Sequence, residues 1–190
     1  MKTIIPFVIK KGTKLYRFIA NEPKNIKSGM YLNKGKPGRF NKKQNVYYCC
    51  KSLIGVLQEY NFEFIQGSLI VSEVKEDIVC GMPVESKLVA FLRGRTKQEK
   101  ASLVHKMVFR NLGLDCIIKY NQTSKMFDKI TELYQDGIVY PSVNSIDCIV
   151  NGIIYHIGDE LCFSNIALTE RGYSKIEEKP PIVYWHKKGD

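Results

Sequence analysis

Between Pro23 and Gln58 the chain contains no aspartate or glutamate, although acidic residues occur on both sides of that interval. Histidine is scarce as well. Only His105, His156 and His186 occur, far apart in sequence and away from any cysteine cluster. The six cysteines (49, 50, 80, 116, 148 and 162) form no C-x-x-C pair. This excludes the ligand spacing of a structural or catalytic zinc site and gives no support to Cys–His nucleophilic chemistry. Neighbours such as Cys49 and Cys50 are awkwardly placed for a disulfide with each other. The remaining thiols sit singly in apolar, strand-like runs, where they behave as small hydrophobes. No uninterrupted apolar run approaches the length of a membrane span. The opening MKTIIPFVIKKG is too short, and too broken by Pro6, to read as a secretory signal. The expectation is a cytoplasmic protein with reduced thiols, without repeats or low-complexity tracts.

What is present is ordinary in one respect and unusual in another. With 44% apolar and 25% charged residues over 190 positions, the chain has a globular composition. It is long enough for one domain that buries roughly 70% of its unfolded surface. The net charge of +10 is high for that size and predicts an acidic partner: a nucleotide, a nucleic acid, an anionic membrane or an acidic protein. Much of the charge is concentrated in the acid-free interval, which holds eight cations (Lys24, Lys27, Lys34, Lys36, Arg39, Lys42, Lys43 and Lys51) and glycines at 29, 35 and 38. A basic, glycine-containing block invites an anion with more than one phosphate. The interval ends at Glu59, a lone carboxylate whose ionised form the surrounding cations favour.

Periodicity sketches an α+β chain of short strands and few helices, without regular βαβ alternation. Residues 1–11 read as a strand or arm, 14–19 as a strand, and 20–37 as a long polar loop of the kind that usually carries function. Residues 46–49 read as a strand and 50–60 as a helix with Leu53, Ile54, Leu57 and Tyr60 inward. Residues 67–80 alternate like strands, and Gly81-Met82-Pro83 reads as a turn. A capping box at Thr96–Glu99 opens a helix that Gly113 stops. Residues 115–120 read as a strand. Residues 124–136 form an amphipathic helix through Met126, Phe127, Ile130, Leu133 and Tyr134, stopped by Gly137. Strand-like runs follow at 145–150, 153–157 and 160–168, with Asn151-Gly152 as a hairpin turn. Residues 169–190 read as a charged C-terminal extension closing on the apolar Ile182–Trp185.

Four short fragments stand in a particular order: Leu15-Tyr16-Arg17-Phe18, Gly38-Arg39-Phe40-Asn41, Val46-Tyr47-Tyr48-Cys49 followed by a helix ending at Glu59, and Ile138-Val139-Tyr140-Pro141-Ser142. Over about residues 12–165 the chain thereby resembles the RES domain family. That resemblance implies a single domain of ADP-ribosyltransferase-like fold, with two small splayed, mainly antiparallel sheets around a cleft for NAD. It also implies NAD as substrate without a metal, cleavage of the nicotinamide–ribose bond, and pairing as a toxin with an antitoxin that bears an Xre-type DNA-binding domain. Phosphate, water or a target protein's side chain would accept the ADP-ribose. The stretch from Arg39 to the tyrosine is one residue shorter than the family pattern.

The resemblance assigns roles that each residue's chemistry permits. A lone strand arginine is ordinarily a solvated or ion-paired group. As motif residues, however, Arg17 and Arg39 offer planar forks that match a pyrophosphate in two-point geometry. Tyr48 would stack on a ring of the dinucleotide, unless a bulge brings Tyr47 to the cleft instead. Ser142, otherwise a turn residue, would orient the nicotinamide end. Glu59, otherwise a solvated helix-end carboxylate, would stabilise the oxocarbenium character that develops as the glycosidic bond breaks. The competing expectation is a nucleic-acid- or RNA-binding module in which Tyr31, Phe40, Tyr47 and Tyr48 alternate with the cations. A third is a non-catalytic nucleotide sensor.

Overall fold

The computed structural model describes residues 4–19, 45–53, 55–56, 65–83, 120–140, 148–150, 153–155 and 165–186. The strands are β1 (Ile4–Ile9), β2 (Lys14–Ile19), β3 (Tyr47–Cys50), β4 (Ile65–Val74), β5 (Ile78–Pro83), β6 (Gly137–Tyr140), β7 (Cys148–Val150), β8 (Ile153–Tyr155), β9 (Asn165–Leu168), β10 (Ile176–Glu178) and β11 (Ile182–His186). The helices are α1 (Tyr120–Leu133) and α2 (Glu170–Ser174). The described residues make an α+β chain whose open, nine-stranded sheet runs β1-β5-β6-β9-β3-β2-β4-β10, with β11 also paired to β4. Every pairing in it is antiparallel except β5–β6. Parallel neighbours need a long crossover. Here the crossover includes α1, which packs on this part of the sheet. β7 and β8 pair antiparallel in a separate two-stranded sheet, and the Asn151-Gly152 turn expected between them lies outside the described residues. The predicted helix at 97–112 lies outside the described residues.

β1 and β2 are consecutive in sequence but stand at separate places in the strand order. The turn between them docks on β4: the Gly12 amide donates to the Val74 carbonyl at 2.8 Å, and the Val74 amide to the Thr13 carbonyl at 2.9 Å. The sheet therefore curls over one of its own faces. Ile9, Leu15, Ile70, Val74, Ile78, Cys80, Val139, Ile166 and Leu168 come from both ends of the strand order and meet in one buried cluster. Each large aliphatic side chain fully buried there contributes about 1.5–3 kcal/mol of transfer free energy. Gly12 has φ +85° with open space around its missing side chain, so only the backbone conformation selects glycine. Gly12→Ala is expected to cost about 1 kcal/mol without disturbing packing, measurable by chemical denaturation.

The outer face is covered by α1, which buries Phe127 and Ile130 against Val46, Ile138 and Ala167. Three sequence expectations change here. Leu133, assigned to the apolar stripe, is 74% exposed, because the helix presents Phe127, Ile130 and Tyr134 to the sheet. Gly81-Met82-Pro83 is not a turn but the end of β5, paired with β1 as far as Ile4–Pro83. Glycine is needed at 81 because a Cβ would stand 2.3 Å from a methyl of Ile130 and 2.7 Å from the Tyr134 ring. What looks like turn chemistry is close helix-to-strand approach. Tyr120, read as the end of a strand, is the first residue of α1.

The C-terminal residues belong to the main sheet. β10 and β11 both pair with β4, β10 along Ser72–Val74 and β11 along Ile65–Leu69. The break between them holds Pro180 and Pro181, which have no N–H to give a ladder. Just before it, the Lys179 amide still donates to the Val71 carbonyl at 2.9 Å.

Candidate functional site

Strand alternation decides which side chains share a face. On β2, Leu15, Arg17 and Ile19 point to the curled interior, whereas Tyr16 and Phe18 point outward. The β2–β3 pairing at Tyr16–Cys50 puts Tyr47 and Cys49 on Arg17's face, and Tyr48 and Cys50 on the other. The tyrosine beside Arg17 is therefore Tyr47, with the guanidinium carbon 5.2 Å from its ring centroid. A cation over an aromatic face contributes about 0.5–2 kcal/mol. Tyr48 lies half-buried against the α1 cluster, on the opposite face from Arg17. Arg39, Glu59 and Ser142 lie outside the described residues.

Arg17 belongs to a polar group inside the curl that sequence reasoning missed. Tyr47 is fully buried, its hydroxyl 3.0 Å from Ser72 Oγ and its ring 5.1 Å from that of Tyr173. Burial pushes the Tyr47 hydroxyl well above its ordinary range, so the ring is a neutral hydrogen-bonding platform. Ser72 is the direct cross-strand neighbour of both Leu15 and Glu178. Glu178 thus lies on the same face as Arg17, with β4 between them. Among the described residues its Oε1 is enclosed without a hydrogen-bond donor. Burial raises this carboxyl to about 7, against the smaller downward pulls of a Tyr173 hydrogen bond and the Arg17 charge. A carboxyl perturbed by desolvation beside a cation marks a functional candidate.

The raised value has a consequence for stability. The folded carboxyl holds its proton more tightly than the unfolded one, so the contribution is fully present below about 4.5 and lost as pH rises through about 7. Glu178→Gln is accordingly expected to raise the melting temperature at pH 8 relative to wild type, and not at pH 5. Allowing for solvent screening, the gain is on the order of 1 kcal/mol, or about 2–4 °C. Thermal scans at the two pH values check it.

On the outer face, Tyr140, Asn165, Cys50 and Tyr16 stand in one row across β6, β9, β3 and β2. The Cys50 thiol donates to Asn165 Oδ1 at 3.1 Å within this row. Directly after β3 a helical turn begins at Leu53, with the Gly55 amide donating to Ser52 Oγ at 3.1 Å. Lys51, from the basic interval, places its ammonium 5.4 Å from the Phe7 ring, and burial lowers its pKa. Three of the four sequence fragments thus lie on neighbouring or near-neighbouring central strands, and the chain leaves β3 and β6 from this row.

The buried thiols of Cys49 and Cys80 are pushed upward by burial, which suits packing and not nucleophilic attack. Among the described residues no group of three or more His, Cys, Asp or Glu side chains could hold a metal ion, and no helix is long and apolar enough to cross a membrane. Comparison with protein-family models finds no match, and comparisons with curated proteins and with solved structures find none either.

Proposed function

We propose that this protein is an NAD-consuming enzyme that cleaves the nicotinamide–ribose bond, with an ADP-ribosyltransferase-like fold and the role of toxin in a toxin–antitoxin pair. The observation that carries the reading is the Tyr140–Asn165–Cys50–Tyr16 row. Through it, the strands bearing the L-Y-R-F, V-Y-Y-C and I-V-Y fragments occupy β2, β3 and β6 of one sheet, although they are far apart in sequence. The high positive charge and the acid-free interval that supplies Arg39 and Lys51 support an anionic substrate.

In this reading Arg17 and Arg39 clamp the pyrophosphate, and Tyr47 backs Arg17 from within. Tyr48 offers its ring to the nicotinamide or adenine end from the outer face, so the dinucleotide passes the strand ends instead of lying along one face. Ser142 orients the carboxamide, and Glu59 stabilises the positive charge that grows on the ribose as nicotinamide departs. The acceptor is phosphate, water or a protein side chain, since loss of nicotinamide is the common first event. An Xre-type antitoxin is the proposed partner.

The test is incubation of the purified protein with NAD, following free nicotinamide in phosphate and in phosphate-free buffer. Release is expected from the wild type, with a loss of about 100-fold or more in Arg39→Ala and Glu59→Ala. A phosphate-dependent product identifies a phosphorylase. Intact NAD together with steeply salt-dependent RNA binding would transfer the assignment to the basic nucleic-acid-binding module.

A further inference from the structure

We propose that Asn165 is a positioning residue whose buried amide anchors the ends of β3 and β6 to β9, fixing the points from which the chain runs on to Glu59 and to Ser142. Its bearing on catalysis rests on the NAD reading, whereas the anchor itself rests on strand pairing and burial.

β9 lies between β6 and β3, and Asn165 is its first residue. On one side its direct cross-strand neighbour is Tyr140, and on the other it is Cys50. These are the last residues of β6 and β3, so both strands end level with Asn165. Immediately beyond them the sequence continues through Pro141 to Ser142 and, by way of the turn at Leu53, toward Glu59. Two strands that carry proposed site residues out of the sheet thus share one polar side chain at their ends.

Asn165 is buried at the seam between two apolar clusters of the outer face. Tyr140 belongs to the cluster under α1, and Cys50 to the cluster formed with Phe18 and Val56. The Cys50 thiol meets the Asn165 Oδ1 at 3.1 Å, so the amide oxygen has a donor where it now stands. A slip of one residue would exchange the two faces of β9 and is excluded by packing. A shift of two keeps the faces but carries the amide opposite Tyr48 and Ile138, the present neighbours of Ala167, inside the α1 cluster. There the oxygen would leave the thiol for apolar surroundings, which is costly for a buried polar group. Selection of one alignment by a single buried polar side chain is an attested use of such groups. The other end of β6 is fixed differently, by Gly137, where a Cβ would fall 2.3 Å from the Ala167 carbonyl oxygen. Asn165 supplies the corresponding constraint at the end nearest the proposed site.

The experiment compares Asn165→Ala, Cys50→Val and Cys50→Ser with wild type in the full chain, by amide hydrogen exchange and by nicotinamide release from NAD. In the first two variants, exchange at residues 49–50 and 139–140 is expected to quicken by about tenfold or more relative to the amides of β4. Their kcat is expected to fall by about tenfold or more, with KM changed by less than about threefold, because misplaced groups slow the chemistry of a bound substrate. Cys50→Ser, which keeps a donor, is expected to retain wild-type exchange at both strand ends. Cys50→Val removes the donor with Asn165 in place, so the anchor is read even if Asn165→Ala does not fold. Unchanged exchange in Cys50→Val, loss of protection spread evenly over the sheet, or the same quickening in Cys50→Ser overturns the proposal. So does a rise in KM with kcat unchanged. A wild type that releases no nicotinamide removes the NAD reading, and the exchange pattern then sustains or overturns the anchor on its own.

Discussion

Replacing Asp136 by alanine is expected to destabilise the protein by about 3–5 kcal/mol, the range for breaking a buried ion pair by removing one partner. The carboxylate lies in the turn between α1 and β6, with its side chain 4% exposed. Lys175 approaches Oδ2 at 2.6 Å, and the amide of Val79, at the start of β5, donates to the same oxygen at 2.8 Å. Arg171 Nε stands 3.2 Å from Oδ1, an ion pair without hydrogen-bond geometry, since that oxygen has no hydrogen-bond partner among the described residues. Alanine would orphan the Val79 amide and leave Lys175, itself only 17% exposed, as an uncompensated charge. The same site explains Gly172, whose Cβ would fall 2.1 Å from the Asp136 carbonyl oxygen. In a chain of this size the loss corresponds to a melting temperature lower by about 6–20 °C. Asp136→Leu combined with Lys175→Met, which removes both charges, is expected to recover most of it. Chemical denaturation reads both variants, and a loss below about 1 kcal/mol in Asp136→Ala would show that the ion pairs are not what ties α2 to the sheet.

Arg17→Met is expected to reduce nicotinamide release, as kcat/KM, by about 100-fold or more while the protein remains folded, because the two-point contact to a pyrophosphate disappears. Arg17→Lys keeps the charge and loses the fork, and is expected to recover only part of the activity. Either change alters the cation–π contact with Tyr47, worth about 0.5–2 kcal/mol, so folding and binding are measured separately. Circular dichroism and denaturation measure the first, and kcat and KM at saturating and limiting NAD the second. Undiminished cleavage in a folded Arg17→Met protein would remove Arg17 from the proposed mechanism and leave it as a support for Tyr47.

Some of this architecture was legible in the sequence and some was not, for reasons visible at particular residues. The alternation in Lys14–Ile19 and the apolar run Ile182–Trp185 correspond to observed strands, because runs of this kind are a local property of the chain. Gly81 misled, because a glycine demanded by a helix pressing on a strand has the same letter as one demanded by a turn. Tyr47 and Tyr48 could be seen to face opposite ways, but which of them joins Arg17 depended on the register of β3 against β2. Glu178 carried no local signal. Its neighbours Glu177 and Lys179 make it look like one member of a solvated charge run, and its perturbation comes from the burial it meets where β10 pairs it with Ser72 of β4.

By itself, then, the sequence determined the α+β character, the strand-like runs, the basic interval with its lone acid at Glu59, and the ordered fragments on which the NAD proposal rests. Tertiary structure alone decided that the sheet curls over one face, that the C-terminal segment is part of it, and that Arg17 shares that interior with Tyr47, Tyr173 and Glu178. The physical reason is that alternation along a strand states which side chains share a face. Which face becomes enclosed, and which distant strand supplies its partners, follows from non-local pairing that no single segment encodes.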